Sequence, residues 1–380
     1  MAAFLFIVLR EKINKGPGVM IPGKVFYAVL NMGLGHATRS LPLIKEFINR
    51  KWQILIGSNG RSLEFLKKEL PSIQFVETPD YSISYSQGSF LLLKLSLQAP
   101  RIFKRIKEEK KLCNQIVEDY SPDLIVSDHC YGMYHSRVPS YFLSHQIYFA
   151  LPNSLQFLSP VISRFNLSFH QKYLKIIIPD VPENGNGLLS GKLSRFPKDS
   201  DKYFFSGILS SVYKNNNNVD DKIDFLVSIS GPEPQRTIFE KLILEQIENV
   251  PGKIIAVLGK SEENKMIMEK DDLKVYSHLP RVEMEKLFNK ADFIITRPGY
   301  STIMELVKLG KKALFVPTPG QTEQEYLAKL MMEKEWFYFV DQNKLDLLKD
   351  IKSAKSYSGL TKINTTKNTV EYIFKNVFNI

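Results

Sequence analysis

The stretch 291–328, ADFIITRPGYSTIMELVKLGKKALFVPTPGQTEQEYLA, constrains this chain more than any other. An apolar run at Phe293 to Ile295 enters a Pro-Gly turn, a helical period opens on Ser301 and Thr302, and a second apolar run follows at Ala313 to Val316. Strand, turn, helix and strand in such close succession form a βαβ unit of a parallel sheet. The mouth of such a helix has unpaired backbone N–H groups and the positive end of the helix dipole, and the two hydroxyls add donors for anionic oxygens. Glu305 lies one turn further along, where its carboxylate can accept both hydroxyls of a ribose. Arg297, just before the helix, can add a cationic donor to a diphosphate, and Glu323 and Gln324 in the Pro-rich turn after the second strand suit sugar hydroxyls. Phosphate, ribose and sugar contacts in that order fit a nucleotide sugar.

The rest of the chain repeats the same alternation. Lys24 to Leu30 reads as a buried strand, Gly33-Leu34-Gly35 as a turn, and the following helix places Leu41, Ile44, Phe47 and Ile48 on one face. Further strands are expected at 53–56, 73–76, 124–126, 141–143 and 175–178, then at 225–229, 254–258 and 274–276. The run Asn215 to Asn218 separates the two series and marks the inter-domain linker, 215–219. The expectation is an α/β chain of two Rossmann-like, doubly wound parallel-sheet domains, 20–214 and 220–360. A final amphipathic helix is expected within 361–380. Ligands in open α/β sheets bind beyond the carboxyl ends of the strands, so the turns at 31–36, 128–131, 228–233 and 297–302 should line a cleft between the domains.

With 380 residues and 44% hydrophobic content, two ordinary cores can be buried. The net charge of +11 is uneven, since residues 1–214 carry 27 Lys or Arg against 16 Asp or Glu, whereas residues 220–380 carry 24 of each. The basic half suits an anionic partner such as a membrane surface or a phospholipid-linked acceptor. In the segment 88–112 an apolar run adjoins Arg101, Lys104, Arg105, Lys107, Lys110 and Lys111, a composition that suits peripheral attachment to anionic lipid. The aromatic-basic interleaving that stacks bases is absent, so no nucleic acid partner is expected. Cys113 and Cys130 form neither a CxxC pair nor a zinc-type cluster, which indicates neither a disulfide framework nor a zinc site and points to a reducing cytoplasm. The opening MAAFLFIVLREK has an apolar run too short to span a bilayer and lacks a signal-peptide cleavage site. Met20 directly precedes the first strand, so residues 1–19 read as an upstream extension or as a weak membrane-touching segment.

Two sets of residues carry a family resemblance. Arg297, Gly299, Thr302 and Glu305, followed by Glu323 and Gln324, resemble the donor half of GT-B glycosyltransferases, most closely the transferase that makes lipid II and its relatives. Pro298 and Tyr300 depart from the small residues usual in that family. Gly33-Leu34-Gly35-His36 resembles the first-domain turn of these enzymes, and Arg39, three residues after the His, resembles the nucleotide-sugar hydrolase of pseudaminic acid synthesis. The resemblance implies a GT-B fold, in which the last helix, within 361–380, crosses back to the first domain, and a UDP-sugar donor. A helix mouth that meets the charge on UDP, without a DxD-type carboxylate pair, removes the need for a metal, and no cofactor is expected. The resemblance further implies that Ser230 and Gly231 cradle the diphosphate and that the backbone at His278 and Leu279 holds the base edge.

A histidine with an ordinary pKa near 6.5 suits general-base work, so His36 is the expected base, with Asp128 at the end of a strand as its partner. Arg39, His129 and His145 are placed on the acceptor side. The expected activity is inverting transfer of a sugar, with N-acetylhexosamine among the candidates, from a UDP-sugar to a lipid-linked or cell-envelope glycan. The chain would lie in the cytoplasm or peripherally on the inner face of the membrane. A UDP-sugar hydrolase and a non-catalytic nucleotide-sugar-binding protein are the alternatives.

Overall fold

The computed structural model describes residues 22–81, 91–196, 200–214, 222–260, 265–360, 363 and 366–380. The N-terminal extension and the linker expected at 215–219 lie outside the described residues, as do residues 88–90 of the apolar-basic segment.

The first sheet contains β1 (Lys24–Val29), β2 (Gln53–Ser58), β3 (Gln74–Glu77), β4 (Leu124–Asp128), β5 (Ser140–Leu143) and β6 (Lys175–Ile178). A two-strand hairpin, β7 (Pro182–Glu183) and β8 (Asn186–Gly187), lies outside it, and β9 (Tyr203–Phe205) closes its far edge. The order β3-β2-β1-β4-β5-β6-β9 is parallel throughout. Val25 to Val29 are fully buried, as a central strand covered by helices on both faces must be. The second sheet contains β10 (Ile223–Ser228), β11 (Ile254–Val257), β12 (Met266–Lys270), β13 (Leu273–Tyr276), β14 (Ala291–Thr296), β15 (Lys312–Phe315) and β16 (Tyr338–Phe339). Its order is β12-β13-β11-β10-β14-β15-β16, with only the edge strand β12 antiparallel.

Leaving out β9 and β12, both sheets have the order third, second, first, fourth, fifth, sixth. The strand order therefore reverses between β1 and β4 in one domain and between β10 and β14 in the other. A crevice opens at each reversal, because the crossovers leave it on opposite faces. His36 follows β1 and Asp128 ends β4; Gly231 follows β10 and Arg297 follows β14.

The last helix, Thr366–Ile373, continues as a π-helical turn at Phe374–Phe378. Its buried side chains join the first-domain core: Phe374 and Phe378 lie 4.6 and 5.4 Å from the Phe47 ring, and Phe378 lies 4.9 Å from Tyr141.

Candidate active site

The first-domain crevice is built around Asp128, which is fully buried at the end of β4. The helix Leu34–Asn49 turns His36, Arg39 and Ser40 toward it, since residues three and four apart share a helix face. His36 Nδ1 lies 2.7 Å from Oδ1, and Arg39 Nε and Ser40 Oγ donate to Oδ2 at 2.9 and 2.7 Å. Arg39 Nη2 also donates to Oδ1. Burial alone would raise the Asp128 carboxyl, but Arg39 and His36 outweigh it and hold the group below the usual carboxylate range.

The hydrogen-bond pattern fixes the His36 tautomer. Nδ1 touches both Asp128 Oδ1 at 2.7 Å and Arg39 Nη2 at 2.9 Å. A carboxylate can only accept and a guanidinium can only donate; Arg39 Nη2 already has Asp128 Oδ1 as its acceptor, so the shorter carboxylate contact places the proton on Nδ1 and leaves the lone pair on Nε2. Burial, with Arg39 next, lowers the His36 pKa, while Asp128 opposes them and stabilises an imidazolium once formed. The ring is therefore neutral at pH 7 and oriented to accept a proton at Nε2.

His145, which follows β5, bridges the two domains. Arg39 Nη1 donates to its Nδ1 at 3.0 Å, which leaves Nε2–H to donate to Glu323 Oε1 at 2.9 Å. Gln146 donates to the other Glu323 oxygen. The Tyr300 ring stacks on His145 with centroids 3.9 Å apart and planes 1° from parallel, and its hydroxyl donates to the Pro179 carbonyl at 2.8 Å. Thr322 Oγ1 donates to the Ala150 carbonyl at 2.7 Å beside this bridge. At Gly35 a Cβ would stand 2.7 Å from Ser301 Oγ, so a larger residue there would have to turn the Ser301 hydroxyl aside where the two helix mouths meet. His129 has a positive φ of 63° and lies with its ring 5.5 Å from that of His36. Its buried Nδ1 has no partner.

On the second-domain side, Ser301 and Thr302 open the helix Tyr300–Leu309 at the mouth facing Gly35. Ser230 and Gly231 are exposed in the turn after β10, and Gly231 has φ +123°. His278 and Leu279 are half-buried after β13. Glu305 Oε1 accepts from Arg281 Nη2 at 2.8 Å, and the same nitrogen donates to Ser211 Oγ at 2.8 Å. Gln324 Oε1 accepts the Thr318 N–H at 2.9 Å. Glu323, read from sequence as a sugar contact, has both oxygens held by His145 and Gln146 in this structure.

Arg297 requires a correction. Its side chain is 1% exposed and does not face the diphosphate site. Nη1 donates to the Val316 and Pro317 carbonyls at 2.8 and 3.0 Å, Nη2 donates to Gln235 O and Gln342 Oε1, and the guanidinium lies 4.1 Å over the Phe239 ring. With no carboxylate beside it, burial lowers its pKa to about 9. It ties the turns after β14 and β15 to the helix Gln235–Leu244 and to Gln342. The sequence reading missed this because each partner except the turn at 316–317 is distant in the chain. It also missed the Tyr300–His145 stack, although the unusual bulk of Tyr300 beside Gly299 was its visible signal.

Among the described residues, one His/Asp group is compact enough for an ion: His36, Asp128 and His129 place ligand atoms within 4.8 Å of one another. The donor set fits a cation poorly, because Asp128 is already bound by Arg39, Ser40 and His36 and the guanidinium is a fixed positive charge inside the cluster.

Two facing Rossmann-order domains, with the His36–Asp128 pair on one side and an open helix mouth on the other, define a two-domain α/β architecture with a polar cleft. Residues 235–370 match the glycosyltransferase family 28 C-terminal domain, and residues 23–139 match a glycosyl transferase family 1 model. The chain is a glycosyltransferase with the GT-B fold. It is 24% identical to an uncharacterised glycosyltransferase of Methanosarcina acetivorans over 82% of this chain and 84% of the relative. It is also 24% identical to the UDP-N-acetylglucosamine–N-acetylmuramyl-(pentapeptide) pyrophosphoryl-undecaprenol N-acetylglucosamine transferase of Caldanaerobacter subterraneus subsp. tengcongensis, over 83% and 85%. The crystal structure of Acinetobacter baumannii MurG has a TM-score of 0.57 at 15% identity, covering 93% of this chain and all of that one. The glycotransferase of kitacinnamycin has a TM-score of 0.61 at 14% identity, over 93% and 96%. No helix among the described residues is long and apolar enough to cross a membrane.

Proposed function

We propose that the chain moves a sugar, with inversion and without a metal, from a UDP-sugar to a hydroxyl of a lipid-linked or envelope glycan. An N-acetylhexosamine is the donor sugar favoured by the relatives' printed names. The observation that carries this reading is the His36–Asp128–Arg39 network facing the helix mouth at Ser301 and Thr302. His36 Nε2 takes the proton of the acceptor hydroxyl as its oxygen attacks the anomeric carbon. Asp128 holds the imidazolium, and the bond to the UDP oxygen breaks with its electrons on the diphosphate, where the helix mouth receives the charge. The guanidinium on Asp128 supports metal independence.

The acceptor side is supported by exposed Phe103, Phe157 and Val161, at 48%, 70% and 68%, beside exposed Arg101, Lys104 and Arg164. The helices 91–120 and 159–170 that carry most of them are joined by the Phe103–Phe165 contact at 5.2 Å. Such a face suits an anionic membrane and a lipid-linked acceptor on the cytoplasmic side. One observation favours hydrolysis of the UDP-sugar instead: the His145, Tyr300 and Glu323 bridge closes the cleft where a large acceptor would enter.

UDP release from a panel of UDP-sugars, with and without a bacterial lipid extract, separates the readings. Release that needs the extract is the expected result. Equal release without it would establish hydrolysis, and UDP binding without release from any sugar would overturn both.

A further inference from the structure

With Arg297 buried in the second-domain core, a cationic side chain that would act on the diphosphate beside the helix mouth has to come from elsewhere. Arg61, Arg236 and Lys260 line one pocket of ≈ 220 Å³ with Gly231 and Gly259, beyond the ends of β10 and β11. Two of these cations are already committed. Arg236 donates to Glu233 at 2.6 Å and to Glu240 at 2.7 Å, and Lys260 reaches Glu240 at 2.7 Å. Arg61 is exposed and has no hydrogen-bond or ion-pair partner among the described residues. It comes from the other domain, on the first turn of the helix Gly60–Glu69.

The turn that presents Arg61 is held rigidly. Asn59 donates to Thr78 Oγ1 at 3.2 Å and to the Pro79 carbonyl at 3.3 Å, and Ser62 N–H donates to Asn31 Oδ1 at 3.3 Å. Gly60 has φ +48°, and a Cβ there would meet Asn31 Nδ2 at 2.4 Å. Ser62 Oγ lies 3.4 Å from the Gly33 carbonyl, so the Arg61 turn and the Gly33–Gly35 turn form one unit. Facing them, Gly259 has φ +68° and passes so close to the Ile229 carbonyl that a Cβ would stand 2.4 Å from it. Burial lowers the pKa of His278, with Lys68 and Arg61 next among the causes. Arg61 thus shares one space with the turns after β10 and β11, at Gly231, Glu233 and Gly259.

We propose that Arg61 is a first-domain clamp that reaches across the cleft to the diphosphate of the donor. The inference rests on the UDP-sugar reading and names a positioning residue for it. An unpaired guanidinium on a fixed turn is suited to bidentate contact with phosphate oxygens.

The test is calorimetric binding of UDP and of uridine to the full chain, unchanged and as Arg61→Ala, Arg61→Lys and the remote surface variant Lys270→Ala. Arg61→Ala should weaken UDP binding about tenfold and flatten its salt dependence while leaving uridine unchanged. Arg61→Lys should recover part of the loss, and Lys270→Ala should stay within about twofold of the unchanged chain. UDP binding by Arg61→Ala equal to that of the unchanged chain would overturn the clamp alone, as would an equal loss for uridine. Absence of UDP binding by the unchanged chain would overturn the donor reading and the clamp with it.

Discussion

Arg39 and Arg297 sit beside the equivalent crevices of the two domains, both almost fully buried, and they do opposite things. Arg39 faces a carboxylate. Burial lowers its pKa, but Asp128 more than restores it, and the net shift is upward. Its Nη1 donates to His145 and its Nη2 lies beside His36 on the shared Asp128 oxygen, so the charge orders the residues that face the cleft. Arg297 faces carbonyls, an amide and the Phe239 ring, and its pKa falls to about 9. Its charge is spent on holding turns in place. A buried guanidinium thus joins the chemistry only where an anion shares its burial; elsewhere it is a multidentate post.

The largest effect should come from His36→Ala, which removes the proton acceptor on the Arg39 side of this comparison. The turnover number is expected to drop by about 10²–10⁴-fold in steady-state UDP release, with UDP affinity retained. Loss of UDP binding in parallel would make His36 a phosphate ligand instead.

Next is the pair Arg39→Met and Arg297→Met, measured by denaturant unfolding and by turnover. Arg39→Met leaves the buried Asp128 carboxylate with His36 and Ser40 but without a fixed positive charge, with a loss of about 3–5 kcal/mol and of activity. Arg297→Met keeps apolar contact with Phe239 and leaves carbonyls unbonded, with a loss of about 1–3 kcal/mol, while turnover per folded molecule persists. A large fall in UDP affinity for Arg297→Met would break the contrast.

Tyr300→Phe keeps the stack on His145 and deletes the bond to the Pro179 carbonyl. A loss of about 1 kcal/mol in domain contact is expected, read as easier proteolytic opening of the closed form. An unchanged digestion pattern would show that this bond does not hold the cleft closed.

The smallest effect concerns pH. The neutral form of His36 is the active one and its folded pKa is lowered, so kcat/KM should hold as pH falls to 6.5 and decline only below that value. The sign for stability agrees: below the unfolded pKa the unfolded chain binds the proton more readily, so acid destabilises the fold. An acid limb above pH 6.5 would show that Asp128 outweighs burial and Arg39.

The central strands were legible in the sequence because burial on both faces leaves continuous apolar runs, as in Val25–Val29 and Phe293–Ile295. The edges were not. β12, MIMEK, is exposed at every residue, and β9 and β16 have three and two residues, too few to show a period. The turns at His36, Asp128, Ser301 and Thr302 were readable since strand ends and helix starts are local events. The partners of Glu323, Tyr300 and Arg297 were not, because His145, Pro179 and Gln342 lie far away along the chain.

By itself, then, the sequence determined the alternation of strands and helices, the glycine turns and the residue types available at each strand end, all set by local propensity and burial. Only the tertiary structure decided which charges meet. It paired Arg39 with Asp128, withdrew Arg297 from the cleft and brought Arg61 across to the second domain. Electrostatic roles depend on distance and shared burial, and those are fixed only when the two sheets face each other.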